Sequence, residues 1–376
     1  MILGGGIAGC ATALALCQRG IGDILIVEAG AYDTFQIGEC IPPETRLLLE
    51  DLQIWQDFLN EKHEPCLGSR SAWGSDIIGY NDFLLNPHGT GWHLDRRKFG
   101  AFLAQTAVQR GAELRSGTRF VAAKSMAEGG LELELKTGQG SQRIHAEFVA
   151  DATGPRSCLA KTMGARPLLH DRLIWIGVVM DCPVAPEFSQ LTMLEAAEAG
   201  WWYAARLPGE RMLVAAITDA ETNGLAMLHQ PERWLSCLEK TVHMAVWLSG
   251  CSRSKSHPIA IRAAPSFLLD RVHGSNWLAV GDAACAYDPI TSQGIYKALH
   301  DGMQSAAAIA DHSAGVVDAF GEYQSSIVAR FTDYLANRNY LYDLEQRWPS
   351  SPFWRNRRFP PAITSSPSPP WRRSPA

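Results

Sequence analysis

Gly4-Gly5-Gly6-Ile7-Ala8-Gly9, at the head of the chain, reads G-x-G-x-x-G and decides the fold. The first glycine of this pattern makes a tight turn, the second lets the backbone approach a pyrophosphate, and the third lets the following helix pack closely on its strand. Alone the pattern is a weak signal. Glu28 strengthens it, because it ends the apolar run Ile24-Leu25-Ile26-Val27, 19 residues after Gly9, where an acid meets a ribose hydroxyl. A second signature, Gly281-Asp282-Ala283-Ala284, follows the short apolar strand Trp277-Leu278-Ala279-Val280 and can offer another acid to the same ligand. A Rossmann domain for a nicotinamide nucleotide alone has no need of that distant site. FAD is long enough to bridge both.

Composition sets the bounds. At 376 residues, with 46% hydrophobic and 19% charged residues, the chain describes a globular protein with ample core. A net charge of −5 gives no basic field for nucleic acid. The run Leu173-Ile174-Trp175-Ile176-Gly177-Val178-Val179-Met180 has strand length, well short of the roughly 18 residues that span a bilayer, so no membrane partner is expected. The nucleotide-binding turn begins at once, which leaves no room for a signal peptide, and the expected location is the cytoplasm. Nine cysteines without a C-x-x-C pair predict reduced thiols, neither a disulfide frame nor a metal site. Only Met1-Ile2-Leu3 precede the glycines, fewer than such a strand usually has. A late start codon or a clipped chain would account for it, at a cost in stability.

The pattern along the chain is interleaved. A small-residue helix follows Gly9, and Pro42 to Leu59 predicts a second helix with Leu47, Leu48, Leu52 and Trp55 on its apolar stripe. Arg96 to Arg110 predicts a third. Arg119 to Lys124, Leu131 to Lys136 and Arg143 to Ala150 alternate like meander strands and lead to the junction Asp151-Ala152-Thr153-Gly154. The expected domains are an FAD-binding domain over 1–164, a β-sheet substrate lobe over 165–270, a return to the FAD domain over 271–320, a helical segment over 321–354 and a disordered tail over 355–376.

The glycine turn, Glu28, the Asp-Ala-Thr-Gly junction and the stretch from Gly281 to Gln293-Gly294-Ile295 resemble group A flavin monooxygenases. Gly38-Glu39-Cys40-Ile41-Pro42-Pro43, Ser71 to Asp76 and Gly91 to Phe99 resemble their tryptophan-halogenase-like branch. That branch includes flavoproteins that hydroxylate a tryptophan of a partner protein in cysteine tryptophylquinone maturation. The resemblance implies an α/β fold: a Rossmann-like FAD-binding domain of glutathione-reductase type, p-hydroxybenzoate-hydroxylase-like, interleaved with the β-sheet substrate domain. It also implies FAD contacts at Gly4, Gly6, Gly9, Glu28, Gly38, Arg96, Gly154, Gly281, Asp282, Gln293, Gly294 and Ile295.

Halogenases carry a lysine where this chain has Ser69 and a glutamate where it has Thr291. A serine supplies no cationic donor and a threonine no carboxylate base, so the expected chemistry is hydroxylation of an electron-rich ring through a flavin C4a-hydroperoxide. The expected partners are molecular oxygen, external NAD(P)H or a flavin reductase, and an aromatic substrate, foremost a tryptophan in a peptide or protein. A free indole or phenol, halogenation, an FAD reductase of the geranylgeranyl reductase type and a non-catalytic assembly factor are the alternatives. Glu39, His93 and His88, with Asp95, are the candidates for a base near the ring. Trp92, Trp201 and Trp202 are candidates for stacking on the substrate, each equally suited to core packing.

Overall fold

The computed structural model describes residues 1–33, 38–220, 228–253 and 258–358. The glycine turn joins strand Ile2–Leu3 to helix Ile7–Gln18. Ile2 and Leu3 pair in parallel with Leu25–Val27 on one side and Val149–Asp151 on the other, so this short strand is central in a six-stranded sheet. Glu113–Arg115 and Trp277–Ala279 extend the parallel set outward, and His273–Gly274 adds an antiparallel edge. Strands covered on both faces need apolar residues throughout, and Ile2, Leu3, Ile26, Val27, Val149 and Ala150 are all buried. Helix Ile7–Gln18 is buried from Ile7 to Leu16 and packs on helix Gly294–Ser313, with the Thr12 and Ser305 hydroxyls 2.9 Å apart across the seam.

The second sheet holds Leu173–Asp181, Arg211–Asp219, Gly200–Leu207 and Leu191–Ala197 as antiparallel neighbours. Along Leu173–Asp181 the side chains alternate between two cores. Ile174, Ile176, Val178 and Met180 join Trp202 and Trp234, whereas Leu173, Trp175 and Val179 join Trp201, Phe353 and Trp354. Two cores on two faces explain why this strand reads as an unbroken apolar run.

The structure corrects several expectations. The substrate lobe is not confined to 165–270, because Gly68–Ala72 pairs in parallel with Leu191–Ala197 and Gly79–Asp82 extends the sheet. Parallel pairing across so long a separation leaves no local signal. The helix expected over Pro42 to Leu59 is two helices, Thr45–Asp51 and Trp55–Asn60, with Gln53 between them at φ 56°. Leu48 and Leu52 are buried while Leu47 is exposed. The strand expected from Arg143 to Ala150 breaks after Ala146 and resumes at Val149 in the other sheet. Cys182 and Cys251 form a disulfide, against the expectation of reduced thiols throughout. Asp181 and Ser252 are antiparallel partners, so the two cysteines meet at the strand ends, a contact that cysteine counting does not see. Among the described residues no helix is long and apolar enough to cross a membrane.

The tail expected from residue 355 begins too early. Pro352–Arg358 is helical, and Arg357 is buried with its guanidinium 2.8 and 3.0 Å from the two carboxylate oxygens of Asp219. Residues 359–376 lie outside the described residues. Removing one partner of a buried pair strands the other charge, so Arg357→Ala is expected to cost about 3–5 kcal/mol. Urea unfolding of the two proteins measures it. A loss below about 1 kcal/mol would mean the pair behaves as a surface salt bridge.

Candidate active site

The carboxyl ends of Ile2–Leu3, Leu25–Val27, Val149–Asp151 and Trp277–Ala279 open on a cavity of about 660 Å³, where open α/β sheets bind ligands. Gly4 turns the chain at φ 104°, and a side chain there would run into the carbonyl of Ala152. A side chain at Gly9 would run into the carbonyl of Gly4. Gly6 differs. A Cβ there would meet no protein atom within 4 Å, and Gly6 lines the cavity, so the space it leaves belongs to a ligand.

Two acids face this cradle. The Glu28 carboxylate accepts from the Gly5 and Gly30 amides, both at 2.7 Å, which fixes it at the cavity wall. Asp282 lies on the turn Gly281–Ala283, with Oδ1 3.2 Å from Lys297 Nζ. Burial opposes the charge on Lys297, but Cys285, Asp282 and Asp301 outweigh it and hold the ammonium above its ordinary range. At the junction, buried Asp151 accepts from Thr153 N at 3.0 Å, Thr153 Oγ1 at 2.6 Å and Ala160 N at 2.8 Å. That network holds Thr153 and Gly154 on the cavity wall.

The cavity is also lined by Gly38, Glu39, Cys40 and Arg96, and by Trp175, Trp201, Tyr203 and Ile217 of the second sheet. Glu39 is 3% exposed, and its Oε1 has no hydrogen-bond partner among the described residues. Burial pushes its carboxyl up to about 7 against the pull of the Arg96 guanidinium. The same burial takes Arg96 down to about 10, against the charges of Glu39 and Asp282.

Of the residues expected at the site, Gly4, Gly6, Glu28, Gly38, Glu39, Arg96, Gly154, Asp282, Gly294 and Ile295 line this one cavity. Gly9 and Gly281 are buried behind its wall, and Gln293 precedes the helix Gly294–Ser313. The structure does not bring the two histidines to the lining. His93 is fully buried with Nε2 3.2 Å from Thr192 Oγ1, and His88 is half-buried in the loop before Gly91–His93. Asp95 caps the helix Arg96–Gln109, accepting from Arg97 N and Lys98 N. Trp201 and Trp202 part ways as successive strand residues must: Trp201 walls the cavity, while Trp202 packs edge-on against Trp234 at 5.1 Å. Trp92 packs on Trp55 and Phe58. Sequence reasoning missed Trp175, Tyr203 and Ile217 as cavity walls. The alternation of their strands was the available signal.

An α/β sheet with a G-x-G-x-x-G turn, an acid after the second strand and a second acidic turn on one cavity fits a dinucleotide-binding flavoprotein. Residues 1–323 match the FAD binding domain family, and the chain belongs to it. It is an FAD-dependent enzyme of the oxidoreductase class, and the cradle at Gly6, Glu28 and Asp282 fits that cofactor. Its relatives include the protein named as FAD-dependent oxidoreductase LodB of Marinomonas mediterranea, 29% identical over 364 residues, which cover 95% of this chain and 96% of the relative. The fold is shared with the myxobacterial chondrochloren halogenase CndH at a TM-score of 0.87 and 21% identity, over 95% of this chain and 84% of that one. It is shared too with QhpG, a peptidyl tryptophan dihydroxylase essential for tryptophylquinone cofactor biogenesis, at 0.77 and 23%, over 96% and 79%.

Proposed function

We propose that this chain is an FAD-dependent monooxygenase that hydroxylates an electron-rich aromatic ring, the side chain of a tryptophan in a peptide or protein. Glu39 is the observation that carries the reading. It is a buried carboxylate with one oxygen that has no hydrogen-bond partner among the described residues, on a cavity whose lining includes Trp175, Trp201 and Tyr203. Gly4, Gly6, Glu28, Gly154 and Asp282 would hold FAD, whose reduced form would supply the activation of oxygen. The chain supplies the rest. Trp201 and Tyr203 offer faces on which an indole packs, the second sheet shields the reacting end from water, and Glu39 takes the proton that the ring loses as its C–O bond forms.

The residues at the two positions where halogenases are distinctive support hydroxylation. Ser69 lies within strand Gly68–Ala72, paired with Thr192, and Thr291 turns its hydroxyl onto the Asp288 carbonyl at 3.2 Å. Neither carries a charge. A peptide substrate is supported by the fold shared with QhpG. Electrons come from outside the chain, through NAD(P)H or a flavin reductase.

The test is a product analysis by mass spectrometry. Protein, FAD, a reducing system and oxygen are incubated with tryptophan-containing peptides or with free indoles, with and without chloride or bromide. One or more oxygen atoms added to the peptide without halide is the expected result. A product formed only with halide would make the chain a halogenase. Oxidation of the free indole alone would keep the chemistry and discard the peptide.

A further inference from the structure

Cys40, Cys66, His93 and Thr192 come together from four separate strands. Cys40–Ile41 and Glu64–Cys66 flank Gly91–His93 in a small antiparallel sheet, and Leu191–Ala197 belongs to the large sheet. The two sulfurs are 3.7 Å apart. The Thr192 hydroxyl is 3.7 Å from Cys40 Sγ, 3.8 Å from Cys66 Sγ and 3.2 Å from His93 Nε2. The sulfur and nitrogen atoms of Cys40, Cys66 and His93 all lie within 4.8 Å of one another.

The four sulfur–sulfur, sulfur–oxygen and nitrogen–oxygen separations match edges of a tetrahedron of ligand size. Zinc–sulfur bonds of about 2.3 Å at the tetrahedral angle set two thiolates about 3.8 Å apart, and bonds of about 2.0–2.1 Å set nitrogen and oxygen about 3.4 Å apart. A disulfide fits less well. A disulfide needs its sulfurs about 2.0 Å apart, and these two stand 3.7 Å apart. His93 is fully buried, and its Nε2 makes its contact on the cluster side, to Thr192 Oγ1. A buried polar cluster with so few good hydrogen bonds is costly unless something at its centre satisfies it.

We propose that Cys40, Cys66, His93 and Thr192 form a tetrahedral site for a divalent cation of the zinc class, two thiolates and an imidazole being its preferred soft donors. Loading displaces two thiol protons to solvent, one of which Cys66 otherwise directs at the Gly68 carbonyl 3.3 Å away. Cys40 directly follows Glu39, so the cation ties the strand beside the cavity to the large sheet. The proposal is independent of the reaction assigned above.

The experiment loads the full-length protein with zinc, removes loosely held metal by gel filtration with a weak chelator, and counts metal by elemental analysis. Cobalt(II) then serves as a spectroscopic probe. The expected result is about one zinc per chain, and with cobalt a thiolate charge-transfer band with the visible bands of a tetrahedral ion. Cys66→Ser is expected to lower zinc content at least about fivefold, His93→Cys to keep it, and Cys10→Ser, which alters a buried thiol elsewhere, to leave it unchanged. FAD content reports folding in each variant, so loss of metal in a protein that still binds FAD is a local effect. Wild-type protein that binds FAD yet retains no stoichiometric zinc would overturn the proposal. A Cys40–Cys66 disulfide found by peptide mapping would overturn it as well.

Discussion

Glu39→Gln is expected to lower kcat for the aromatic substrate about 10²- to 10³-fold while the protein keeps its FAD, the loss that follows removal of a positioned general base. The amide has nearly the shape of the carboxyl, so packing among Gly38, Cys40 and Arg96 changes little. What it cannot do is accept a proton from the ring. The substitution also removes the Glu39 charge that favours the Arg96 guanidinium, and a shift of Arg96 would loosen this end of the cavity. For that reason the flavin content and the oxygen reactivity of the reduced enzyme are measured beside turnover. A fall in kcat with KM and flavin content preserved identifies Glu39 as the base. Parallel loss of flavin identifies instead a residue that positions Arg96. Full activity in the variant removes Glu39 from the chemistry, and Tyr203, which also lines the cavity, is then the next residue to substitute.

The cofactor half of this molecule was legible in the sequence because its signals are local. Gly4 to Gly9 must be contiguous to make one turn, and Glu28 must end the next strand to reach the same ligand, so spacing alone locates both. Gly281-Asp282 was legible for the same reason. The substrate half was not, because its parts are joined only by tertiary contact. Gly68–Ala72 reaches Leu191–Ala197 across more than a hundred residues, and Arg357 reaches Asp219 from beyond the point where composition turns irregular. Tryptophans were visible as residues and opaque as to direction. Trp201 and Trp202 are neighbours in sequence and face opposite sides of one sheet, so a strand register was needed before either could be assigned. His93 shows the limit most plainly. The motif resemblance set it near the flavin, and the fold turns it into a buried group with two cysteines instead.

The three glycines of the opening turn serve different ends, and substitution should separate them. Gly9→Ala is expected to destabilise the apoprotein by about 3 kcal/mol. Alanine is the better helix former by roughly 1 kcal/mol, but the new Cβ would overlap the Gly4 carbonyl and crowd Ala152 Cβ at 3.2 Å. Overpacking costs about 1–3 kcal/mol where neighbours can move, and here the nearest atoms are backbone in the centre of the sheet. The clash wins. Gly6→Ser is expected to do the reverse. Gly6 caps helix Ile7–Gln18 at φ −71° and ψ −173°, an extended conformation open to any residue, and offers no side-chain acceptor to the first amides. Serine is at least as good a cap as glycine, so apoprotein stability should hold or rise by a few tenths of a kcal/mol. Its side chain, however, occupies the open space on the cavity side where the backbone must meet a phosphate. FAD affinity should fall at least about 100-fold, close to 2.7 kcal/mol. Thermal melts with and without FAD read both quantities, because a ligand at free concentration L that binds only the folded state stabilises it by RT ln(1 + L/Kd) and so raises the melting temperature more the tighter it binds. The wild type should shift upward with FAD. Gly6→Ser should melt like wild-type apoprotein and shift little, and Gly9→Ala should melt low from the start. A Gly6→Ser protein that still shifts like the wild type would mean that the pyrophosphate does not lie against this turn.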